Sequence, residues 1–178
     1  MNEILEVIKK RRSIRKFEDK MIDDSLLKEI LYAGSLAPSA HNKQPWEFVV
    51  IKNKNIKKEI ASFLLEDDLQ KGKRTSSSET ALVIEKAPVL ILVFDTSPEF
   101  PLFSALSIGA AIENMLLCAT SHELGSLWIG NVVKVESYIQ KLLSKNKHLV
   151  SAIALGYKGE DPLMPDRKLV DAITEWKE

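Results

Sequence analysis

Apolar positions recur along this chain at helical and at strand spacings, in separate blocks. Ile4, Leu5 and Ile8 share one helical face, and Lys9, Lys10, Arg11 and Arg12 follow where cations suit the negative end of a helix dipole. A second helix is expected with Asp23 as its N-cap and Ile22 placed to staple against Leu27. Its buried stripe is Leu26, Leu27, Ile30 and Leu31, and Gly34 and Pro38 stop it. The polar stretch 38–45 then leads into Trp46, Phe48, Val49, Val50 and Ile51, a β-branched and aromatic run that reads as a strand. Ile56, Ile60, Phe63 and Leu64 predict a third helix. Glu66 to Thr80 turns charged and Ser-rich, and part of it is expected to be a mobile flap.

Val89 to Phe94, after Pro88, is a continuous apolar run and predicts a core strand covered on both faces. Phe103 to Leu124 is apolar nearly all round, so a helix there must be buried in the core or between subunits, with Gly125 as its cap. Leu127–Ile129 and Leu149–Leu155 read as further strands, separated by a helix carrying Val135, Ile139, Leu142 and Leu143. No repeat or low-complexity linker interrupts the pattern, and 178 residues suit a single domain spanning 1–178.

Composition excludes several classes. With 45% hydrophobic residues the chain is not mainly disordered, and with 25 basic against 25 acidic residues it lacks the footprint for binding nucleic acid. One cysteine, Cys118, permits no intramolecular disulfide, and Glu3 and Glu6 ahead of the basic run reverse a signal peptide's order. A reducing, cytoplasmic location is therefore expected. The longest charge-free stretch, between Glu99 and Glu113, falls short of the roughly 20 apolar residues of a membrane helix, so no membrane role is expected.

Missing motifs narrow the chemistry. There is no G-x-G-x-x-G, no P-loop and no G-x-S-x-G. His122-Glu123 lacks the second His of a zinc helix because position 126 is Ser, so no metal site is expected. Cys118 lies between Leu117 and Ala119 and reads as inert core. Three segments remain. Arg11-Arg12-Ser13-Ile14-Arg15 is either a solvated helix end or a phosphate clamp, since guanidinium forks bind phosphate oxygens in bidentate fashion. The loop 38–46 is either a plain connection or an amide-rich surface for the edge of a planar heterocycle. Gly125 to Gly130 is either a bounded strand or a place where backbone at Gly130 approaches a ring closely.

Together, in this order, these segments resemble the nitroreductase family of FMN-dependent oxidoreductases. R-R-S-I-R-x-F from residue 11, A-P-S-A-x-N-x-Q-P-W at 37–46, E-K-A-P-V-L-I-L-V from 85, I-G-A-A-I-E-N-M-L-L-C-A from 108 and L-G-S-L-W-I-G at 124–130 carry the likeness. The resemblance implies an α+β domain with a central mixed, largely antiparallel sheet wrapped by helices. It also implies an intertwined homodimer with two interfacial FMN sites, often embraced by the C-terminal segment. Carried over by position, Arg11, Arg12, Ser13 and Arg15 would hold the FMN phosphate, ribityl chain and pyrimidine edge. Pro38, Ser39, Ala40 and Asn42 would come from the other subunit, and Ile129 and Gly130 would lie against the ring near N5.

Three departures qualify the match. The family's C-terminal phosphate contact has two basic residues one position apart, whereas Arg167 and Lys168 are adjacent here, with Arg167 the better candidate. His41 stands at a variable position and is expected to be a spectator. The 66–80 segment, which normally helps set substrate choice, matches nothing closely. The implied activity is hydride transfer from NADH or NADPH through FMN to a small electron-poor acceptor, a nitroaromatic or quinone, by ping-pong turnover with no catalytic side chain. Dehalogenation, heterocycle oxidation, or FMN storage or sensing without turnover are the alternatives on the same fold.

Overall fold

A computed structural model describes residues 2–70, 76–98 and 102–177. Six helices and four strands follow one another as α1 (Glu3–Lys10), α2 (Asp24–Ser35), β1 (Trp46–Ile51), α3 (Lys54–Gln70), α4 (Ser76–Lys86), β2 (Val89–Asp95), α5 (Leu102–Ser121), β3 (Leu124–Ile129), α6 (Glu136–Leu143) and β4 (His148–Tyr157). The strands form one sheet in the order β1-β2-β4-β3, and all three neighbouring pairs are antiparallel. A single parallel bridge, Ser13 to Ser126, adds the N-terminal segment to the β3 edge. The fold is α+β, as the resemblance implies.

The two-residue period of the central strands builds a three-layer core. On β2, Leu90, Leu92 and Phe94 face α3, α4, α6 and the turn at 131–135, joined by Ala152 and Ala154 of β4. Val89, Ile91 and Val93 face α2 and α5, joined by Ile153 and Leu155. Every residue of β2 is buried, which explains the unbroken apolar run Val89–Phe94; the buried carboxylate of its last residue, Asp95, accepts from Ser97 N–H (2.8 Å). Ile22 and Leu27 meet in the second of these clusters, as the staple predicts, although the Asp23 side chain makes no capping hydrogen bond.

Three boundaries differ from the sequence expectation. Glu66 to Gln70 close α3 and Ser76 to Thr80 open α4, where the sequence pattern predicts no helix; residues 71–75, in the middle of the expected flap, lie outside the described residues. The helix forms at this polar start because Ser77 is fully buried and accepts a 2.9 Å hydrogen bond from Lys134 Nζ, while Ala81, Val83 and Ile84 enter the core. Helix α5 ends at Ser121, and Glu123 (φ 58°) takes the left-handed position, so Gly125 is a strand residue and not a cap. The strands also run longer than expected, because Leu124 and Gly125 pair with Tyr157 and Gly156.

Helix α5 has the length and apolar composition of a membrane span. Its Ile108, Ile112, Met115, Leu116 and Ala119 instead pack against α2 and the sheet. At its N-terminal end Leu102, Phe103 and Leu106 are exposed, as are Ile4, Leu5 and Ile8 of α1. The C-terminal stretch carries more uncovered apolar surface, with Leu163 93% and Trp176 80% exposed.

Candidate functional site

The segment after α1 is laid along the sheet by backbone hydrogen bonds. Ile14 N–H donates to Ser126 O (2.9 Å), Glu18 N–H to Tyr157 O (3.0 Å) and Gly159 N–H to Lys16 O (2.9 Å). Ile14 is the apolar peg of this run, 1% exposed, and it sits over Gly125, where a Cβ would come within 2.8 Å of Ile14 Cγ2. With Ile14 turned inward, Ser13 and Arg15 are turned out. The carboxylate of Glu160 accepts from the backbone N–H groups of Arg15 (2.6 Å) and Lys16 (3.2 Å), fixing the main chain beneath the exposed side chains.

Arg11, Arg12, Ser13 and Arg15 line a cleft of about 330 Å³ with Pro162, Leu163, Pro165 and Arg167. The four arginines are not equivalent. Arg12 Nη1 donates to Lys9 O (2.6 Å) and Arg11 O (2.7 Å), so this side chain also caps α1. Arg11 Nε stands 3.6 Å from Glu113 Oε1. Arg15 donates from Nη1 to Ser13 O (3.3 Å), and neither it nor Arg167 has a carboxylate partner among the described residues. The cleft thus concentrates positive charge with donors to spare, the chemistry of a dianion site. Lys168 does not line it.

Arg15 also lines a second cavity of about 210 Å³ with Glu79, Thr80, Val83 and the run Leu127 to Asn131. Asn131 Nδ2 donates to Thr80 Oγ1 (3.1 Å), which ties the turn after β3 to α4. Gly130 adopts φ −84°, ψ −34°, a conformation open to any residue, and a Cβ there would meet nothing within 4 Å. Neither backbone geometry nor a neighbouring side chain demands glycine at this position. Its effect is to keep the strand end bare on the cavity side.

The loop 38–42 is placed differently. Ala40 lines a third cavity of about 310 Å³ with His41, Lys43, Pro45, Phe103, Ser104 and Ser107, and none of its residues lines the first two. His41, Asn42 and Gln44 all have positive φ, a costly run for non-glycine residues. Hydrogen bonds hold it: Ala40 N–H to Ser107 Oγ (3.3 Å), Gln44 N–H to Ser39 Oγ (3.0 Å) and Asn42 N–H to Ser39 O (3.0 Å). Pro38, Ser39 and Asn42 do not line that cavity, whereas His41, expected as a spectator, does.

The predicted residues therefore fall into two groups. Arg11, Arg12, Ser13, Arg15, Arg167, Ile129 and Gly130 line two cavities that share Arg15, and the 38–42 loop stands apart on the same chain. Sequence reasoning missed Glu160, Thr80, Asn131, Ser104 and Ser107. The two serines gave a signal, polar residues three apart in an otherwise apolar helix. Cys118 packs half-buried against the core beside Glu29, and burial first, then Glu29, pushes its thiol pKa up, in keeping with an inert role. At neutral pH it is a protonated, weak nucleophile.

The "Nitroreductase family" model matches residues 8–157. A Methanothermobacter thermautotrophicus protein named "Putative NADH dehydrogenase/NAD(P)H nitroreductase" is 34% identical over 167 residues, covering 90% of this chain and 80% of its own. A Bacteroides fragilis nitroreductase, solved with bound FMN, is 28% identical with a TM-score of 0.84 and full coverage of both chains (100% and 100%). An iodotyrosine deiodinase from Haliscomenobacter hydrossis is 26% identical over 183 residues, covering 90% of this chain and 82% of its own. With its α+β fold, its arginine-lined cleft and a family match over most of its length, the chain belongs to the nitroreductase family of oxidoreductases.

Proposed function

We propose that this protein is a cytoplasmic FMN-dependent oxidoreductase that takes hydride from NADH or NADPH and delivers two electrons to a small electron-poor acceptor, a nitroaromatic or a quinone. One observation carries the reading: a cleft with spare cationic donors shares Arg15 with a cavity at a strand end kept bare by a glycine that the chain itself does not require. A phosphate at one end and a flat ring at the other suit that pair of cavities. When bound, FMN supplies the hydride acceptance and donation at N5.

The chain's own residues bind and orient. Arg11, Arg15 and Arg167, with Ser13, hold the phosphate and ribityl end, while Arg12 divides its donors between this cleft and the end of α1. Backbone at Ile129 and Gly130 would lie against the ring, where main chain could donate without an intervening side chain. The family resemblance would put Pro38, Ser39, Ala40 and Asn42 on the site of a second copy in a homodimer, and in keeping with that the 38–42 loop lines neither cavity of its own chain. No acid or base is assigned to a side chain.

If the backbone at Ile129 and Gly130 covers one face of the FMN ring, nicotinamide and acceptor would have to use the other in turn. Varying NADH at several fixed quinone concentrations gives parallel double-reciprocal lines; intersecting lines would show a ternary complex and overturn the single-face model. The deiodinase relatives support a second reading, reductive dehalogenation of a halogenated aromatic in place of nitro or quinone reduction. Halide release from such a substrate, faster than quinone turnover, would favour it. Binding of FMN without steady NAD(P)H consumption would instead identify a storage or sensor protein.

A further inference from the structure

Away from these two cavities, three ligand types meet at the surface between α2 and α5. Cys118 and His122 lie four residues apart, and His122 N–H still donates to Cys118 O (3.3 Å), so both belong to one helical turn and share a face. Glu29 comes across from α2, its Oε1 2.9 Å from His122 Nε2. One ligand atom from each of the three falls within 4.8 Å of the others. Glu29 has no lysine or arginine partner among the described residues, and the side chains of His122 and Glu29 are 35% and 58% exposed, so an ion has access from solvent.

We propose that Glu29, Cys118 and His122 form a binding site for a thiophilic divalent cation of the zinc class, clipping α2 to the end of α5. A thiolate, an imidazole and a carboxylate are the ligand set of zinc or cobalt, and magnesium and calcium prefer oxygen alone. Tetrahedral zinc separates such ligand atoms by about 3.3–3.6 Å, given bonds of roughly 2.0–2.3 Å. Small side-chain rotations reach that from the present spacing. The ion takes the place of the proton between Glu29 and His122, which moves to His122 Nδ1, the Cys118 thiol gives its proton to solvent, and water completes the fourth position. The two negative ligands balance the ion's charge, and the negative end of the α5 dipole adds to the attraction.

The test is titration of the purified FMN-loaded protein with Co²⁺, read in the ligand-field bands that lie to the red of flavin absorption, followed by displacement with Zn²⁺. The expected result is one tetrahedral, thiolate-type site per chain that also protects Cys118 from alkylation. Cys118→Ser, His122→Gln and Glu29→Gln each weaken the affinity by at least 10- to 100-fold, the loss seen for even outer partners of metal ligands. His148→Gln leaves it unchanged. If Cys118→Ser fails to fold, the two surface variants decide, provided that they melt like the parent in chelator. No tetrahedral bands at saturating Co²⁺, or bands that survive His122→Gln and Glu29→Gln, would overturn the proposal.

Discussion

Replacing Gly125 with alanine tests how the cationic run is held in place. The new Cβ would stand 2.8 Å from Ile14 Cγ2 and 3.0 Å from its Cβ and Cγ1. Comfortable carbon contacts lie at about 3.5–4.0 Å. Ile14 is 1% exposed, and β-branching leaves it little choice of rotamer, so its side chain cannot swing clear. The strain falls on the hydrogen bond from Ile14 N–H to Ser126 O, and Ser13 and Arg15 move with it. Overpacking a filled site costs about 1–3 kcal/mol, and a domain of this length loses roughly 2–4 °C in Tm for each kcal/mol. Thermal melting and FMN titration of Gly125→Ala should therefore show a lower Tm and a weaker affinity together.

A double variant isolates the cause. Ile14→Ala alone removes a buried side chain at a cost of about 2–5 kcal/mol, but in the Gly125→Ala background it also removes the atoms that clash. The pair should be less destabilised than the sum of the singles by about 1 kcal/mol or more. Additive costs, or a Gly125→Ala protein with unchanged Tm and FMN affinity, would refute the argument.

Other outcomes follow from the same coordinates. Arg167→Ala should weaken FMN binding about 10- to 100-fold, as loss of one charge-assisted partner does, while Lys168→Ala, outside the cleft, changes titrations far less; equal losses would contradict the assignment. Glu47 takes hydrogen bonds from Lys145 and Lys147, which hold its pKa below the ordinary 4.5. A depressed carboxylate stabilises the fold above its unfolded pKa and loses that effect as pH falls through the folded value. Denaturant melts of Glu47→Gln should thus show a deficit of up to about 1 kcal/mol at pH 7 that fades below pH 4.5; a pH-independent deficit would point to packing. The homodimer predicts sedimentation of the intact chain at about twice its 20.0 kDa. Removing residues 161–178, which carry exposed Leu163, Leu169 and Trp176, should weaken that association, and a monomer at low micromolar concentration would refute it.

Much of the fold was legible where a side-chain period matched a single partner face. The stripe of α2 and the apolar run of β2 were read directly, because each maps onto one contact surface. Helix α4 was missed because its first turn is serine and glutamate, and Ser77 is buried for a reason that sits 57 residues away, at Lys134. Gly125 imitated a helix cap because it follows an apolar helix. Its real role is set by Ile14, which no local pattern reveals. The arginines of the clamp were visible as a motif, yet the motif could not show that Glu160 anchors the backbone beneath Arg15 or that Arg12 is partly engaged by the end of α1. At the α2–α5 surface a zinc-helix spacing would put a second histidine at position 126, which is Ser; the residues near His122 are Cys118 one turn back and Glu29 across the helix pair, and the linear spacing does not show Glu29.

The central claim is that the arginine cleft and the bare strand end at Gly130 together hold FMN. The most direct test is the visible spectrum of the purified protein, followed by denaturation and chromatographic identification of whatever is released. Purified protein should be yellow and give up FMN at one equivalent per chain. Colourless protein that takes up no FMN at micromolar concentration, or protein that releases FAD instead, would contradict it.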